Sequence, residues 1–357
     1  MSLERMRQIV RRGWSVWLAC VVGCTPGAKR PDGIRLASLH REGSECLKAA
    51  IQYPHNPVVR VEAVEAYQLL GHQDDRPWLR SALLDEHPGV RFAACVAVGL
   101  QRDEAARTAL GKCLEQKDPG VRVGALFALH AMGDDKRTGE LTYYLLKHPD
   151  VTARRNAALV LGQFPEPGVV KMLARAMRDP DPGVQLLALE GMARHKNKEA
   201  IQQLQLLANS GVGSEEVLAV DALAQAQDAE LADFFRYKMR TASHLETQLA
   251  AAKGLGLLGI NEGLELGLRS LQYTRATSSE ANDPPQERLM RVKQLGCAVL
   301  EAIGDPSTLD ALERTMKQDP DPRVQVAAAK AMLQIIASYR QQTNPLSGRT
   351  AGEMPGR

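Results

Sequence analysis

Small and apolar residues recur along this chain with helical spacing, in units of about 31 residues. In five units a Val is followed by a small residue four positions later and another three positions after that, as in Val90, Ala94 and Ala97. Steps of three and four place such residues on one face of an α-helix. The same trio recurs as Val59/Ala63/Ala66, Val121/Ala125/Ala128 and Val324/Ala328/Ala331.

Each unit also carries the signals that begin and end a helix. Asp118 and Pro119 precede the Val of one unit, where Asp can cap free N–H groups and Pro suits the first helical position. His87 and His148 stand at the capping position of two units, where we expect weaker caps. A glycine such as Gly71 or Gly304 then ends the helix, and a second, shorter apolar stripe follows. The pattern therefore predicts one helical hairpin per unit.

A self-similarity of this length is typical of a solenoid. The D-P-x-V-R…A…A…L-G-D pattern resembles HEAT-type repeats, especially the shorter class found also in phycobilisome lyases, and covers about residues 45–338. The resemblance implies an all-α protein, an α-solenoid of about nine HEAT-like hairpins over residues 37–340, which we expect to be elongated and curved. Residues 37–53 are predicted to form the N-terminal cap, residues 273–287 an exposed loop and residues 341–357 a disordered tail.

The resemblance further implies ladders of side chains that join neighbouring units. The arginine after the Val and the aspartate in the turn within the repeat are the expected members, and Gln185 and Gln325 should interrupt the ladder. The predicted members are Arg60, Arg91, Arg122, Asp103, Asp134 and Asp305.

The first two dozen residues have the pattern of an export signal. A basic start precedes a short apolar stretch over 13–23, too short to span a bilayer. The run Val21-Val22-Gly23-Cys24 resembles a bacterial lipobox, which implies cleavage of residues 1–23, lipidation of Cys24 and a tether over residues 24–36. Thr25 after the cysteine resembles the pattern that favours the outer membrane over the inner one. The alternative is a frayed helix with two buried cysteines.

Charge argues against a nucleic-acid partner. Of 45 basic and 42 acidic side chains, residues 1–23 hold four and one, which leaves 41 of each for the rest of the chain. A neutral body exerts no general attraction on a polyanion.

The sequence contains no motif for catalysis, for a metal or for a cofactor. The eight histidines are scattered, without the ligand spacing of a zinc site. The run Gly254–Gly259 spells a dinucleotide fingerprint, but it lies in an Ala-rich helical unit with no preceding strand, so we interpret it as helix packing. Cys46, Cys95, Cys113 and Cys297 lie in different predicted helices at apolar positions or at a cap, and a hairpin turn near residue 102 would place Cys95 opposite about residue 109. We therefore expect free buried thiols; a disulfide, which an oxidising periplasm would permit, is the alternative.

The second helices offer a candidate binding surface. The position two residues before the last apolar residue is expected to face one side, and a basic stripe lies beside it. We predict that this column lines the concave surface and binds an acidic or extended protein partner; its residues are Lys112, Tyr143, Lys171, Arg175 and Arg178, with Ser81 at the same position one unit earlier.

The function predicted from these features is a scaffold or adaptor, not an enzyme. It would be held in a bacterial envelope complex through the lipid on Cys24. Two alternatives stay open: a bilin lyase-like or other enzyme-associated activity, and binding of an envelope polysaccharide.

Overall fold

A computed structural model describes residues 31–274 and 284–343 of the chain, and all regular structure in these ranges is helical. The predicted signal peptide, Cys24 and most of the predicted tail and loop lie outside these ranges. Helices alternate between the first and the second helix of each hairpin, and apart from Gly33–Ile51 the second helices are the shorter ones. The first helices are α2 (Pro57–Leu70), α4 (Pro88–Leu100), α6 (Pro119–Ala131), α8 (Val151–Leu161), α10 (Pro182–Arg194), α12 (Gly213–Gln225), α14 (Leu245–Leu257), α16 (Pro285–Ile303) and α18 (Pro322–Thr343). The others are α1 (Gly33–Ile51), α3 (Arg76–Ala82), α5 (Arg107–Leu114), α7 (Gly139–Lys147), α9 (Gly168–Ala176), α11 (Lys198–Leu207), α13 (Ala232–Thr241), α15 (Leu264–Leu271) and α17 (Leu309–Gln318).

The predicted capping residues begin most first helices. The side chain of Asp118 accepts a hydrogen bond from the Val121 amide, and His87 accepts one from the Gly89 amide through Nδ1. In α8 the cap is Asp150, which accepts from the Ala153 amide at 2.9 Å, so the expectation of a His148 cap is wrong.

Left-handed glycines stand at the ends of four of the first helices, and in two of these helices the glycine is the C-cap residue itself. Gly71 has φ 67° after α2, and Gly304 has φ 73° after α16. Residues with a β-carbon rarely adopt this conformation, which explains why glycine stands at these helix ends.

The first helices form one closely packed layer. Each packs against the first helix before it and the first helix after it, through the small residues that the repeat places on this face. Ala94, Ala97, Ala125 and Ala128 have no solvent exposure. Larger side chains here would force the helix axes apart.

The second helices form a separate layer. Most of them pack on the first helices that flank them in sequence, and contacts between second helices are few; the pairs in contact include α1 with α3, α7 with α9, α15 with α17 and α17 with α1. Their buried residues Leu79, Leu110, Leu141, Leu173 and Leu204 face the first helices and have no solvent exposure.

The array of first helices closes on itself. The last helix, α18, packs against α2 as well as against α16, so that among the described residues the nine first helices form an uninterrupted circle of contacts. Helix α1 packs against both α18 and α2 and so takes the position of a ninth second helix. The expectations of an open, elongated array and of an N-terminal cap over 37–53 are therefore wrong, because the apolar faces at the two ends bury each other.

Three element boundaries differ from the predicted ones. Residues 33–36, predicted as tether, begin α1; residues 285–287, predicted as loop, begin α16; and residues 341–343, predicted as tail, end α18.

The arginines after the Val join neighbouring units, but not through the predicted aspartates. Arg60 donates to both carboxylate oxygens of Asp85, at 2.8 and 2.9 Å, and to the Tyr53 carbonyl. Arg154 makes the same two kinds of bond, to Asp179 and to the His148 carbonyl. The acceptor side chain lies 25 residues after the arginine, in the loop that follows the next second helix.

The remaining predicted members of the ladder behave differently. Arg91 donates to the neutral Gln116, also 25 residues later. The corresponding partner of Arg122 is Lys147, which cannot accept, and no hydrogen bond from the Arg122 side chain is found among the described residues.

The predicted aspartates have other roles. Asp103, Asp134 and Asp305 accept hydrogen bonds from the backbone amides two residues after them, and Asp103 also pairs with Arg80 at 3.3 Å. They cap the short turns within the hairpins. Asp134 and Asp305 therefore do not join neighbouring units as predicted, whereas Asp103 does, through Arg80 of the preceding second helix and not through an arginine after the Val.

Gln185 and Gln325 interrupt the ladder, as predicted. Each keeps only the local bond, to the carbonyl six residues earlier, at 2.7 Å. The amide side chain is too short to reach the next unit as well.

Candidate binding surface

All five predicted binding residues are solvent-exposed. Lys112 lies on α5, Tyr143 on α7, and Lys171 and Arg175 on α9, while Arg178 follows the end of α9. None of the four cations makes an ion pair with a carboxylate of the described residues. Their charge is therefore available to a partner.

The structure brings two of the second helices that carry these residues into contact. The Thr142 hydroxyl of α7 donates to the Met172 sulfur of α9 at 3.1 Å. Tyr143 is 52% exposed, and its ring meets the His148 ring edge-on at 6.1 Å between centroids. Tyr143 and the stripe on α9 consequently lie on adjacent elements.

The side on which the column lies differs from the prediction. In a closed circle the layer with the closer helix spacing lies inside, and here that layer consists of the first helices. The column on the second helices therefore faces outward. The prediction of a concave column is wrong, because its derivation assumed an open array.

Polar residues cluster on the first helices where the circle closes. The Gln294 side chain of α16 donates to Glu62 Oε1 of α2 at 2.8 Å, while Glu62 Oε2 is buried and accepts no hydrogen bond among the described residues. Burial raises the pKa of Glu62 to about 7. Lys330 pairs with Glu301 at 3.3 Å. The cluster joins α2, α16 and α18.

On the other layer, ion pairs close the same junction. Arg35 of α1 donates to Asp310 at 2.9 Å and to both carboxylate oxygens of Glu313, and Lys317 pairs with Glu42 at 2.7 Å. Hydrogen bonds from Arg35 lower the pKa of Glu313 to about 2. We name the contacts of α1 and α2 with α16, α17 and α18 the closure seam.

A cleft of about 440 Å³ lies along the closure seam. Apolar residues such as Ala50, Val59, Met316 and Val326 form much of its wall, and Glu42 and Lys317 stand at its polar part. Cys46 also lines it, and burial raises the pKa of this thiol to about 11. A thiol with this pKa is a poor nucleophile at neutral pH.

The structure brings together two cysteines that the sequence analysis separated. Interaction of the Cys95 thiol with the Cys113 thiol, together with burial, raises the pKa of Cys95. All four described cysteines are free thiols. The hairpin is thus in a different register from the predicted one.

Two further features concern chemistry and membranes. Within residues 31–274 and 284–343, no cluster of three or more His, Cys, Asp or Glu side chains has the geometry of a metal site. In the same ranges, no helix combines the length and the apolar character needed to cross a bilayer. The Gly254–Gly259 run lies in α14 and the turn after it, and Gly254 packs against the Phe235 ring.

Sequence reasoning missed the closure seam and the residues that build it. Glu62 and Glu42 are ordinary polar positions by their helical spacing, and no local pattern marks them. Their partners lie 232 and 275 residues away in sequence, a distance over which repeat periodicity carries no information.

Comparison with family models identifies HEAT repeats in two stretches, residues 45–136 and 139–217. Among curated proteins, no sequence matches this chain.

Solved structures with a similar arrangement include human deoxyhypusine hydroxylase in complex with glycerol, at 17% identity and a TM-score of 0.36, covering 84% of this chain and 97% of that one. Another is the complex of CpcE and CpcF of phycocyanin lyase from Nostoc, at 17% identity and a TM-score of 0.41, covering 78% of this chain and 99% of that one. An engineered protein is similar at 16% identity, with a TM-score of 0.27 and coverage of 85% and 92%. The family match shows HEAT repeats over residues 45–136 and 139–217, and all regular structure in residues 31–274 and 284–343 is helical.

Proposed function

We propose that this protein is a binding scaffold of a bacterial envelope complex, anchored by a lipid on Cys24, and that it is not an enzyme. The observation that supports it most directly is the exposed column on consecutive second helices. Lys112, Tyr143 and Arg175 occupy the same position on α5, α7 and α9, and the unpaired Lys171 and Arg178 flank the last of them. A rigid array that repeats one exposed position presents a long surface to a protein partner.

The lipid anchor is proposed from the sequence alone. Cys24 stands nine residues before Gly33, where α1 begins. This segment would connect the repeat array to a lipid in the membrane. Several acyl chains would make such an anchor stable, since each buried methylene contributes about 0.8 kcal/mol. The outer membrane is the proposed location.

Affinity capture from crosslinked membranes tests the scaffold. A variant with Lys171→Glu, Arg175→Glu and Arg178→Glu should lose the captured partner while its helical circular dichroism is unchanged. The matched control reverses three exposed lysines elsewhere, with Lys136→Glu, Lys196→Glu and Lys198→Glu, and should keep the partner. Capture of the same protein by both variants contradicts the proposed site.

The anchor needs a separate measurement. The Cys24→Ala variant should lose the acyl mass from the mature protein and should leave the membrane fraction. A wild-type protein that keeps residues 1–23 contradicts the lipid anchor, whatever the outcome of the capture experiment.

A further inference from the structure

The exposed position on the second helices continues far beyond the predicted column. It lies two residues before the last core residue of each second helix, about 200° around the helix from that residue, and so faces away from the first helices. In all nine second helices, including α1, the side chain at this position is exposed. We name this set of nine positions the outer column.

The composition of the outer column is biased. Four positions are cations, and three are large apolar or aromatic residues; the remaining two are Ala49 and Ser81. None is a carboxylate, although acidic and basic residues balance over the body of the chain. The cations are Lys112, Arg175, Arg269 and Arg314.

The cations of the outer column are accessible to a partner. Among the described residues, only Arg269 has a carboxylate nearby, that of Glu265 on the same helix at 3.5 Å. Both of these side chains are more than two-thirds exposed, and such a pair contributes little. The column therefore presents positive charge that the protein itself does not neutralise.

Three large apolar or aromatic side chains also belong to the outer column, and they are exposed to solvent. Leu206 is 73% exposed, Tyr237 54% and Tyr143 52%. Along consecutive second helices the order is Tyr143 on α7, Arg175 on α9, Leu206 on α11 and Tyr237 on α13. Arg175 therefore separates Tyr143 from the other two. Tyrosine and arginine, with tryptophan, are the residue types most enriched among the energetic centres of protein interfaces.

We infer that the outer column binds a protein segment rich in acidic residues and carrying aromatic or aliphatic side chains among them. This inference rests on the proposed scaffold function and gives its partner a chemical class. The cations attract the carboxylates of the segment, and Tyr143, Leu206 and Tyr237 bury its apolar side chains.

A soluble random copolymer of glutamate and tyrosine is a direct probe. Titration calorimetry with the full chain should show binding that weakens as salt rises. One variant carries Arg175→Glu, Arg269→Glu and Arg314→Glu, and another carries Tyr143→Ser, Leu206→Ser and Tyr237→Ser. Each should weaken binding by about tenfold or more. The control with Lys136→Glu, Lys196→Glu and Lys198→Glu should bind within about threefold of wild type.

Several results would overturn the inference. One is equal loss in the control and the charge variant, which indicates general electrostatics, and another is absence of copolymer binding. Binding to phosphatidylglycerol vesicles but not to the copolymer assigns the column to a membrane surface instead. If membrane capture yields a partner that both column variants retain, the scaffold stands and this inference fails; if wild type captures none, the scaffold itself fails.

Discussion

Glycine sets the closest approaches between neighbouring first helices. A β-carbon at Gly99 would lie 2.6 Å from the Cα of Ala128, an atom of the next helix backbone. Gly162 and Gly191 face each other in the same way, with each β-carbon 2.8 Å from the other Cα. Backbone atoms cannot move aside as a flexible side chain can, so these positions fix the spacing of the inner layer.

Gly99→Ala is therefore expected to destabilise the protein, by about 1–3 kcal/mol. Gly111→Ala on α5 is the matched control, because a β-carbon there would have no other atom within 4 Å and alanine favours a helix by about 0.5–1 kcal/mol. Urea unfolding should show opposite signs for the two changes. Equal stabilities contradict the tight packing of α4 on α6.

The charge of the ladder partner should determine what each arginine contributes. Arg60→Gln keeps the local bond seen for Gln185 but leaves the largely buried Asp85 without its cation, which should cost about 1–3 kcal/mol. Arg91→Gln loses only a neutral partner and should cost about 0.5–1.5 kcal/mol. The free energies of unfolding of the two variants check this order, and the reverse order contradicts it.

Glu62 should make stability fall as pH rises. Its pKa is about 7 in the folded protein against an ordinary 4.5, so between these values the folded state holds a proton that the unfolded state has released. The contribution of Glu62 to the free energy of unfolding is therefore highest below about pH 4.5, and it declines by about 1–3 kcal/mol up to pH 7.

The measurement is the difference in the free energy of unfolding between wild type and Glu62→Gln as the pH changes from 5 to 8. The neutral variant keeps the Gln294 contact without the titrating group. Its stability should therefore increase relative to that of wild type as the pH rises. Glu190→Gln, on the same layer but paired with Arg194 of its own helix, is the control and should show no such gain. A constant difference for Glu62→Gln contradicts the buried carboxyl.

At the scale of elements, helix α1 shows how far sequence reasoning extends. The repeat pattern predicted the first helices, their caps and the stripe of second helices, because these depend on local spacing and on capping chemistry. It treated α1 as a terminal cap, since no local feature of residues 33–51 shows that Gly43 packs against Met332 and Leu333.

The same limit applies to the candidate site. The exposure of Lys112, Tyr143 and Arg175 followed from helical periodicity, as did the interruption of the ladder at Gln185 and Gln325. The outward direction of the column, the pairing of Arg60 with Asp85 and the contact between Cys95 and Cys113 depend on how hairpins are stacked and staggered. That information lies in the packing of side chains between units, not in the period.

At the scale of the whole repeat body, closure removes the exposed apolar ends that an open array must cover. Terminal units of open solenoids need polar outer faces to stay soluble. Here Leu36, Leu39 and Leu47 of α1 belong to the same buried cluster as Ile335 and Ile336 of α18. The first and last helices therefore bury each other's apolar faces.

The measurement that tests closure most directly is zero-length carbodiimide crosslinking of the monomer, followed by mass spectrometry. The reagent joins an amine to a carboxylate only when they are in contact, and Lys317 Nζ lies 2.7 Å from Glu42 Oε2 across the closure seam. The pair Lys253–Asp221, also at 2.7 Å and between neighbouring first helices, is the internal control. We expect both isopeptide bonds in the monomer; formation of the Lys253–Asp221 bond without any bond between Lys317 and Glu42 would contradict a closed array.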